Sequence, residues 1–377
     1  MIYLDYQATT PLAPEALDAM LPWLGGPGSD GFANPYSPSR AGRAAAAAIE
    51  VARDAVAALL PPGGRVIFTS GATEALNMAL RGSGNMALCA SGNMAIRGAG
   101  TQRLAVSAIE HAAVLDTARA IDAALTLLAV DRDGLVDPDV PIPDGTGLVA
   151  VMQVNNEIGT VQPVDAIARR ARAMGALFLC DAVQGVGKLC APVEADMVAV
   201  SAHKLYGPKG IGALWVRDGV QVDPLITGGG QEHGDRSGTL SPALAAGFGA
   251  AARLCAAMRE SDAAHIEALW TRARTAFAGW TLNGSATARW RGNLNVRIDG
   301  LDVARLLSEC RTVAISAGSA CASGSGRPSH VLRALGLSDR DSRTALRIGF
   351  GRYTREEELD EAVAAILAAA QAQGVSA

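Results

Sequence analysis

Several short stretches place reactive side chains where a purely structural residue would be simpler. Residues 197–200, Met-Val-Ala-Val, form an apolar β-run that delivers Lys204 into the glycine-rich turn Ser201-Ala202-His203-Lys204-Leu205-Tyr206-Gly207-Pro208-Lys209-Gly210. An ammonium at the end of a buried strand is costly unless it is paired, deprotonated or covalently engaged. Lys204 is therefore either a covalent cofactor anchor of the Schiff-base kind or a side chain that snorkels to solvent. The apolar run 176–179 leads into Asp181-Ala182-Val183-Gln184. A carboxylate so placed needs a cationic partner, which a protonated pyridine nitrogen supplies, with Gln184 then near the ring hydroxyl; the alternative is an Asp that caps the next helix.

The strand-like run 66–70 passes through Gly71-Ala72-Thr73-Glu74 into a helical pattern, presenting backbone N–H groups and the Thr73 hydroxyl at a helix N-terminus. That is a phosphate cradle or a plain N-cap; it has neither the lysine and spacing of a P-loop nor the three-glycine dinucleotide fingerprint. Ser201 and His203 can add donors to the same phosphate. His111 can stack on a flat ring, shuttle protons or serve structure alone. Asn155-Asn156-Glu157-Ile158-Gly159 follows the strand at 148–154. All of these fall at carboxyl ends of expected strands, the edge where α/β folds bind ligands, and this shared placement favours function over the separate structural alternatives. Farther on, Cys321 is the centre of a loop of small residues at 316–326, an unshielded thiol suited to nucleophilic or redox chemistry, whereas Cys180 and Cys255 sit in apolar runs. Arg347, in the near-apolar run 345–350, suits bidentate capture of a carboxylate or a buried salt bridge.

The elements that must position these residues alternate. A helix at 43–60 is followed by strands at 66–70, 104–108, 148–154, 177–181 and 198–201, interleaved with helices at 72–81, 112–124 and 164–174, the pattern of an α/β fold with a mostly parallel sheet. Two helices at 242–259 and 263–278 then lead to a smaller α+β unit with strands at 294–298, 313–316 and 345–350 and helices at 303–310 and 355–373. The expected organisation is an arm at 1–15 packing with the small domain, a large cofactor-binding domain at 16–255 and a small domain at 256–377 carrying the Cys321 loop. A length of 377 residues, 49% hydrophobic and 19% charged, suits two such cores. A net charge of -4 without basic runs gives no footprint for nucleic acid or an anionic membrane, so a small substrate or soluble partner is expected. The start Met1-Ile2-Tyr3-Leu4-Asp5 lacks the basic and apolar segments of a signal peptide, and the alanine-rich runs are broken by charges, which points to the cytoplasm. Six cysteines without CxxC pairs argue against a zinc site and a disulfide framework. The repeat of Ser83-Gly84-Asn85-Met86-Ala87 at 91–95 receives no function.

Taken together, these motifs make the chain similar to the cysteine desulfurases of the NifS and IscS type, fold-type I pyridoxal-phosphate enzymes of the class V aminotransferase family. The resemblance runs through Tyr3-Leu4-Asp5-Tyr6, Gly71-Ala72-Thr73-Glu74, Glu110-His111, Asn155 to Gly159, Asp181 to Gln184, Ser201 to Gly212, Gly228 to Glu232, Arg236-Ser237-Gly238-Thr239, the Cys321 loop with 328–336, and 347–358. It implies a seven-stranded, mostly parallel sheet in the large domain. It also implies that Lys204 bonds covalently to pyridoxal phosphate, Asp181 pairs with the pyridine nitrogen, Gln184 meets the ring oxygen and His111 stacks on the ring. Ala72, Thr73, Ser201 and His203 would bind the phosphate with Thr239 from the other subunit of a homodimer, and Asn156 and Arg347 would hold the substrate carboxylate, Asn156 also bordering the cofactor. Cys321 would take sulfur from L-cysteine, leaving a persulfide and alanine, and pass it to an acceptor or an iron–sulfur scaffold protein; no resident metal is implied, although Cys321 could ligate a shared cluster in passing. The rival readings are a selenocysteine lyase or class V aminotransferase on the same fold and a non-catalytic partner-binding subunit. An aminotransferase has no use for Cys321, and an idle subunit would be expected to lack Lys204 or Asp181. Ser39 stands where the family usually has histidine, His233 where arginine is common, and the tail to Ala377 is shorter than in many relatives, which bears on the acceptor rather than on the chemistry.

Overall fold

The computed structural model describes residues 1–26, 28–29, 31–83, 103–122, 124–318 and 328–375, together with the backbone of 86–88 and 94–96. Its centre is a seven-stranded sheet in the order Gly64–Thr69, Gly212–Arg217, Met197–Ser201, Leu177–Asp181, Thr146–Ala150, Arg103–Ser107, Thr126–Leu128. Gly212–Arg217 runs antiparallel to both of its neighbours, and the remaining pairs are parallel, so six strands point one way and one points back. Alternate residues of each strand serve opposite faces. Phe68, Val149, Phe178, Val198 and Trp215 join one core, and Ile67, Leu148, Leu177, Met197 and Leu214 join the other. Burial on both faces is why these strands read as unbroken apolar runs.

A third core is built on a four-stranded sheet in the order Thr281–Leu282, Asn293–Arg297, Ala345–Gly349, Ser316–Ala317. Leu294, Val296, Leu346 and Ile348 line it, with Leu359 and Ile366 from the helix Glu356–Gln371. Ile2 and Leu4 of the N-terminal arm are buried in this core, and Ile2–Tyr3 pairs in parallel with Val313–Ala314.

Three local expectations are corrected. The helices expected at 242–259 and 263–278 are one helix, Pro242–Ala276, of 35 residues. Glu260-Ser261-Asp262 contains no Gly or Pro to break it, and the Ser261 hydroxyl donates back to Met258 O at 2.9 Å. This helix gives Phe248, Ala251 and Cys255 to the first core and Ile266, Leu269 and Ala273 to the third. The strand expected at 313–316 is two pieces serving different sheets, Val313–Ala314 beside the arm and Ser316–Ala317 beside Ala345–Gly349. Gly212–Arg217 and Thr126–Leu128 are strands the sequence reading leaves unassigned. The first follows the lysine turn with no intervening helix, so the strand–helix alternation gives no cue, and the second spans only three residues.

Gly64–Thr69 is an edge strand whose exposed ladder is closed by a side chain. Glu232 Oε2 accepts the Phe68 N–H at 2.7 Å, and its two oxygens take a fork from Arg53 at 2.7 Å each. Glu232 is 6% exposed and, like His233, has left-handed backbone geometry, with φ of 49° and 56°. Ser39 caps the helix Arg40–Ala57 that carries Arg53, accepting the Gly42 N–H. Glu232→Ala leaves the Phe68 N–H without its acceptor and takes from the partly buried Arg53 one of its two carboxylates, Glu50 remaining, so a loss of about 1–3 kcal/mol is expected from urea unfolding, against a smaller loss for Glu232→Gln, which keeps an acceptor. An alanine variant within about 0.5 kcal/mol of wild type would show that this edge needs no side-chain closure.

Candidate active site

The carboxyl ends of the parallel strands open into a cavity of about 570 Å³ bordered by the arm, the helix Ala72–Gly82 and Arg347. Two neighbouring strands supply its central residues. Asp181 ends Leu177–Asp181 and pairs in register with Ala199; two residues beyond Ala199, Met197–Ser201 ends and turns through Ala202–Lys204. Lys204 does not snorkel. Its Nζ donates to the carbonyls of Gln7 and Ala8 at 2.6 and 2.7 Å. His203 is held in the same turn, its Nδ1 3.1 Å from Thr9 Oγ1 and its carbonyl accepting from the Thr10 N–H and hydroxyl.

The anion site is backbone. The helix Ala72–Gly82 starts at Gly71, whose lack of a side chain leaves its first-turn N–H groups without a cap. Gly212, opposite Ser201, lets this turn approach: a Cβ there would lie 2.6 Å from Val200 O and 2.7 Å from the Gly71 carbonyl carbon. Ser201, His203, Lys209 and Thr73 border the same end of the cavity. The Glu74 carboxylate pins the turn from behind, accepting from the Ser70 N–H at 2.7 Å and pairing with Arg236 at 2.8 Å.

Three buried acids, Asp181, Glu110 and Glu157, have raised pKa values. Burial raises the pKa of Asp181, and the charge of His111, the Val183 N–H at 3.0 Å and the charge of Lys204 only partly offset it. Glu110 is pushed well above the usual carboxylate range by burial and then by the charge of Asp181; its Oε1 accepts the Met152 N–H while Oε2 has no partner. Glu157 is raised to about 7 by burial, against the Ser329 hydroxyl and the charges of Arg347 and His111. His203 moves the other way, to about 4, through burial and then Lys204 and Lys209, so it is neutral at physiological pH. Of these acids Asp181 borders the cavity, where a ligand that brings positive charge would favour its ionised form.

Arg347 lies 1% exposed in the strand Ala345–Gly349. It makes the buried salt bridge the sequence allowed, with Asp5 at 2.7 Å, and donates to Asn156 O at 3.1 Å, yet it also lines the cavity, and its Nε has no partner. His111 caps the helix Ala112–Ile121 through Nδ1 and borders the cavity as well.

The structure thus brings Ala72, Thr73, His111, Asn156, Asp181, Gln184, Ser201, His203, Lys204 and Arg347 to one cavity. Thr239 is exposed and does not border it, and Cys321 lies outside the described residues. Sequence reasoning passes over the arm: Asp5 on Arg347 and the Gln7 and Ala8 carbonyls on Lys204 join residues almost two hundred positions apart or more, with no local pattern to announce them. It passes over Lys188, Lys209 and the Glu74–Arg236 pair for the same reason. Buried Cys180, Cys255 and Cys310 behave as small apolar residues, and Cys190 is exposed. Among the described residues no group of His, Cys, Asp and Glu is arranged to hold a metal ion.

The donor set fits pyridoxal phosphate on its own chemistry: an uncapped helix N-terminus for a phosphate, a buried carboxylate in want of a cation for a pyridinium, and an amine for an aldehyde. A sequence model of the aminotransferase class-V family matches residues 2–362. The chain is 42% identical over 381 residues to the mitochondrial cysteine desulfurase of Arthroderma benhamiae, spanning 97% of this chain and 73% of that one. It is 40% identical over 379 residues to the cysteine desulfurase IscS of Rickettsia africae, spanning 96% and 89%. A solved NifS-like protein superposes with a TM-score of 0.85 at 29% identity, over 97% and 98% of the two chains. With its geometry and these likenesses in agreement, the chain belongs to the aminotransferase class-V family, among the pyridoxal-phosphate-dependent cysteine desulfurases.

Proposed function

We propose that the protein removes sulfur from L-cysteine, releasing L-alanine and leaving a persulfide on Cys321. The observation that carries this is the meeting of Lys204, Asp181, an uncapped helix N-terminus and Arg347 around one cavity. Ala72, Thr73, Ser201 and His203 hold the cofactor phosphate, Asp181 the ring nitrogen, Gln184 the ring oxygen, and His111 lies on the ring face. Bound there, the cofactor supplies an electron sink that labilises the bonds at the substrate's α-carbon. Arg347 and Asn156 orient the substrate through its carboxylate, the Asp5 pair keeping the guanidinium aimed. Lys204, its Nζ held by the two carbonyls of the arm, would accept and return the substrate's protons at that nitrogen. The Cys321 thiolate attacks the substrate sulfur: an S–S bond forms, the substrate C–S bond breaks, and the carbon takes up protons to give alanine. The step balances without an outside oxidant or reductant, since cysteine and an enzyme thiol become alanine and an enzyme persulfide.

The protein works as a homodimer in this reading, with Thr239 of one subunit completing the phosphate site of the other. The support is that Thr239 is exposed while its neighbour Arg236 is fixed to Glu74 at the rim of the cavity. The persulfide passes to a sulfur acceptor, an iron–sulfur scaffold protein being the first candidate given the IscS relative. A cytoplasmic setting suits a chemistry that needs a free thiol, and Cys180, Cys190, Cys255 and Cys310 are unpaired.

Borohydride treatment of the yellow holoprotein is expected to fix the cofactor on Lys204, read by mass spectrometry of the peptide; a colourless protein that stays colourless with added pyridoxal phosphate would remove the cofactor assignment. Cys321→Ser is expected to keep the spectral response to cysteine while carrying no persulfide and losing at least ~100-fold in alanine release. Near-normal alanine output from this variant would favour a lyase that needs no protein thiol.

A further inference from the structure

Gln184 reaches the cavity with a carboxamide whose two ends have opposite hydrogen-bonding character, and which end faces the ring decides whether it can donate to an anionic ring oxygen. Two neighbours settle this together, the Gln7 carbonyl and Lys188, four residues along the chain. Lys188 Nζ donates to Gln184 Oε1 at 3.4 Å, and Gln184 Nε2 in turn donates to the Gln7 carbonyl at 2.9 Å, the same carbonyl that takes Lys204. An ammonium offers only donors, so it can face only the oxygen end of the amide, and the N–H end is left toward Gln7 and Lys204. Lys188 is itself held from the small unit, its Nζ 5.8 Å from the centre of the Trp290 ring. Among the described residues no carboxylate forms an ion pair with it, so the arrangement is not an ordinary salt bridge that happens to lie near the site. A small cavity of about 20 Å³, bordered by Gln7, Lys188, Tyr206 and Cys255, separates its stem from the packed interior.

We infer that Lys188 is a positioning residue for the cofactor, acting through Gln184: it fixes the carboxamide so that Nε2 is presented to the ring oxygen. The inference rests on the cofactor assignment proposed above. Burial and the charge of Lys204 lower the pKa of Lys188 to about 8, which leaves it charged and able to donate at neutral pH. Without it, the Gln7 carbonyl alone holds the amide, which then turns its oxygen toward an anionic ring oxygen more readily and replaces a hydrogen bond with a repulsion.

The test uses holoprotein variants and two readouts other than turnover, the dissociation constant for pyridoxal phosphate and the visible band of the bound cofactor at neutral pH. Lys188→Met, which keeps the stem and removes the donor, is expected to weaken cofactor binding roughly 3- to 10-fold and to shift the band, the size of one hydrogen bond. Lys188→Arg, which keeps a cation that can only donate, is expected to stay within about twofold of wild type; a loss as large as that of the methionine variant would overturn the inference, and this arm stands even if Lys188→Met fails to fold. In a Gln184→Ala background, Lys188→Met should add less than about twofold, because a residue that acts through Gln184 has nothing left to orient. Equal losses with and without Gln184, or no loss in either, would show Lys188 to be a packing residue. A wild-type protein that takes up no pyridoxal phosphate would instead sink the cofactor assignment itself, so the two failures are distinct.

Discussion

The account turns on one unpaid electrostatic demand, the Asp181 carboxylate held out of water at the end of a central strand. Among the described residues no Lys or Arg forms an ion pair with it; the Val183 N–H and the fields of His111 and Lys204 are what it has. Burial raises the pKa of Asp181, and burial together with the charge of Asp181 raises that of Glu110. Such a site is unfavourable while empty of positive charge and favourable once a cationic ring supplies it. The parallel sheet is what makes the demand possible, because both faces of Leu177–Asp181 are covered and the strand delivers its last side chain directly into the ligand edge.

The N-terminal arm is the second determinant. It belongs to the third core through Ile2 and Leu4, yet it reaches across to supply carbonyls to Lys204, a hydroxyl to His203 and the Asp5 carboxylate to Arg347. Lys204 and Arg347 are thus placed relative to each other by one segment of the arm. Pro242–Ala276 also joins the two units, with one half in each core. In the proposed reading this holds the cofactor and the substrate carboxylate at a fixed separation, the positioning that the chemistry requires.

Much of this was readable from local signals. Apolar runs ending in Asp181 or leading to Lys204 announced buried strands that deliver a charge, and Gly71-Ala72-Thr73-Glu74 announced a helix N-terminus, with a phosphate cradle and a plain N-cap both left open. Where the reading stopped, the reason is physical. The Gln7 and Ala8 carbonyls have no sequence signature, since every residue but its side chain offers one. Arg347 was legible as a buried cation, but Asp5 as its partner was not, because nothing local links a strand near the end of the chain to the arm. Gly212–Arg217 was hidden by the absence of a crossover helix before it. Thr239 does not border its own chain's cavity.

The most direct test of the central claim compares the thermal stability of wild type and Asp181→Asn, each with and without saturating pyridoxal phosphate. If the buried carboxylate is kept for the cofactor's positive charge, the cofactor-free Asp181→Asn protein is at least as stable as cofactor-free wild type, and the cofactor raises the melting temperature of wild type far more than that of the variant. An equal rise in both proteins, or a cofactor-free variant much less stable than wild type, would show that Asp181 serves the fold rather than the ring, and would contradict the account.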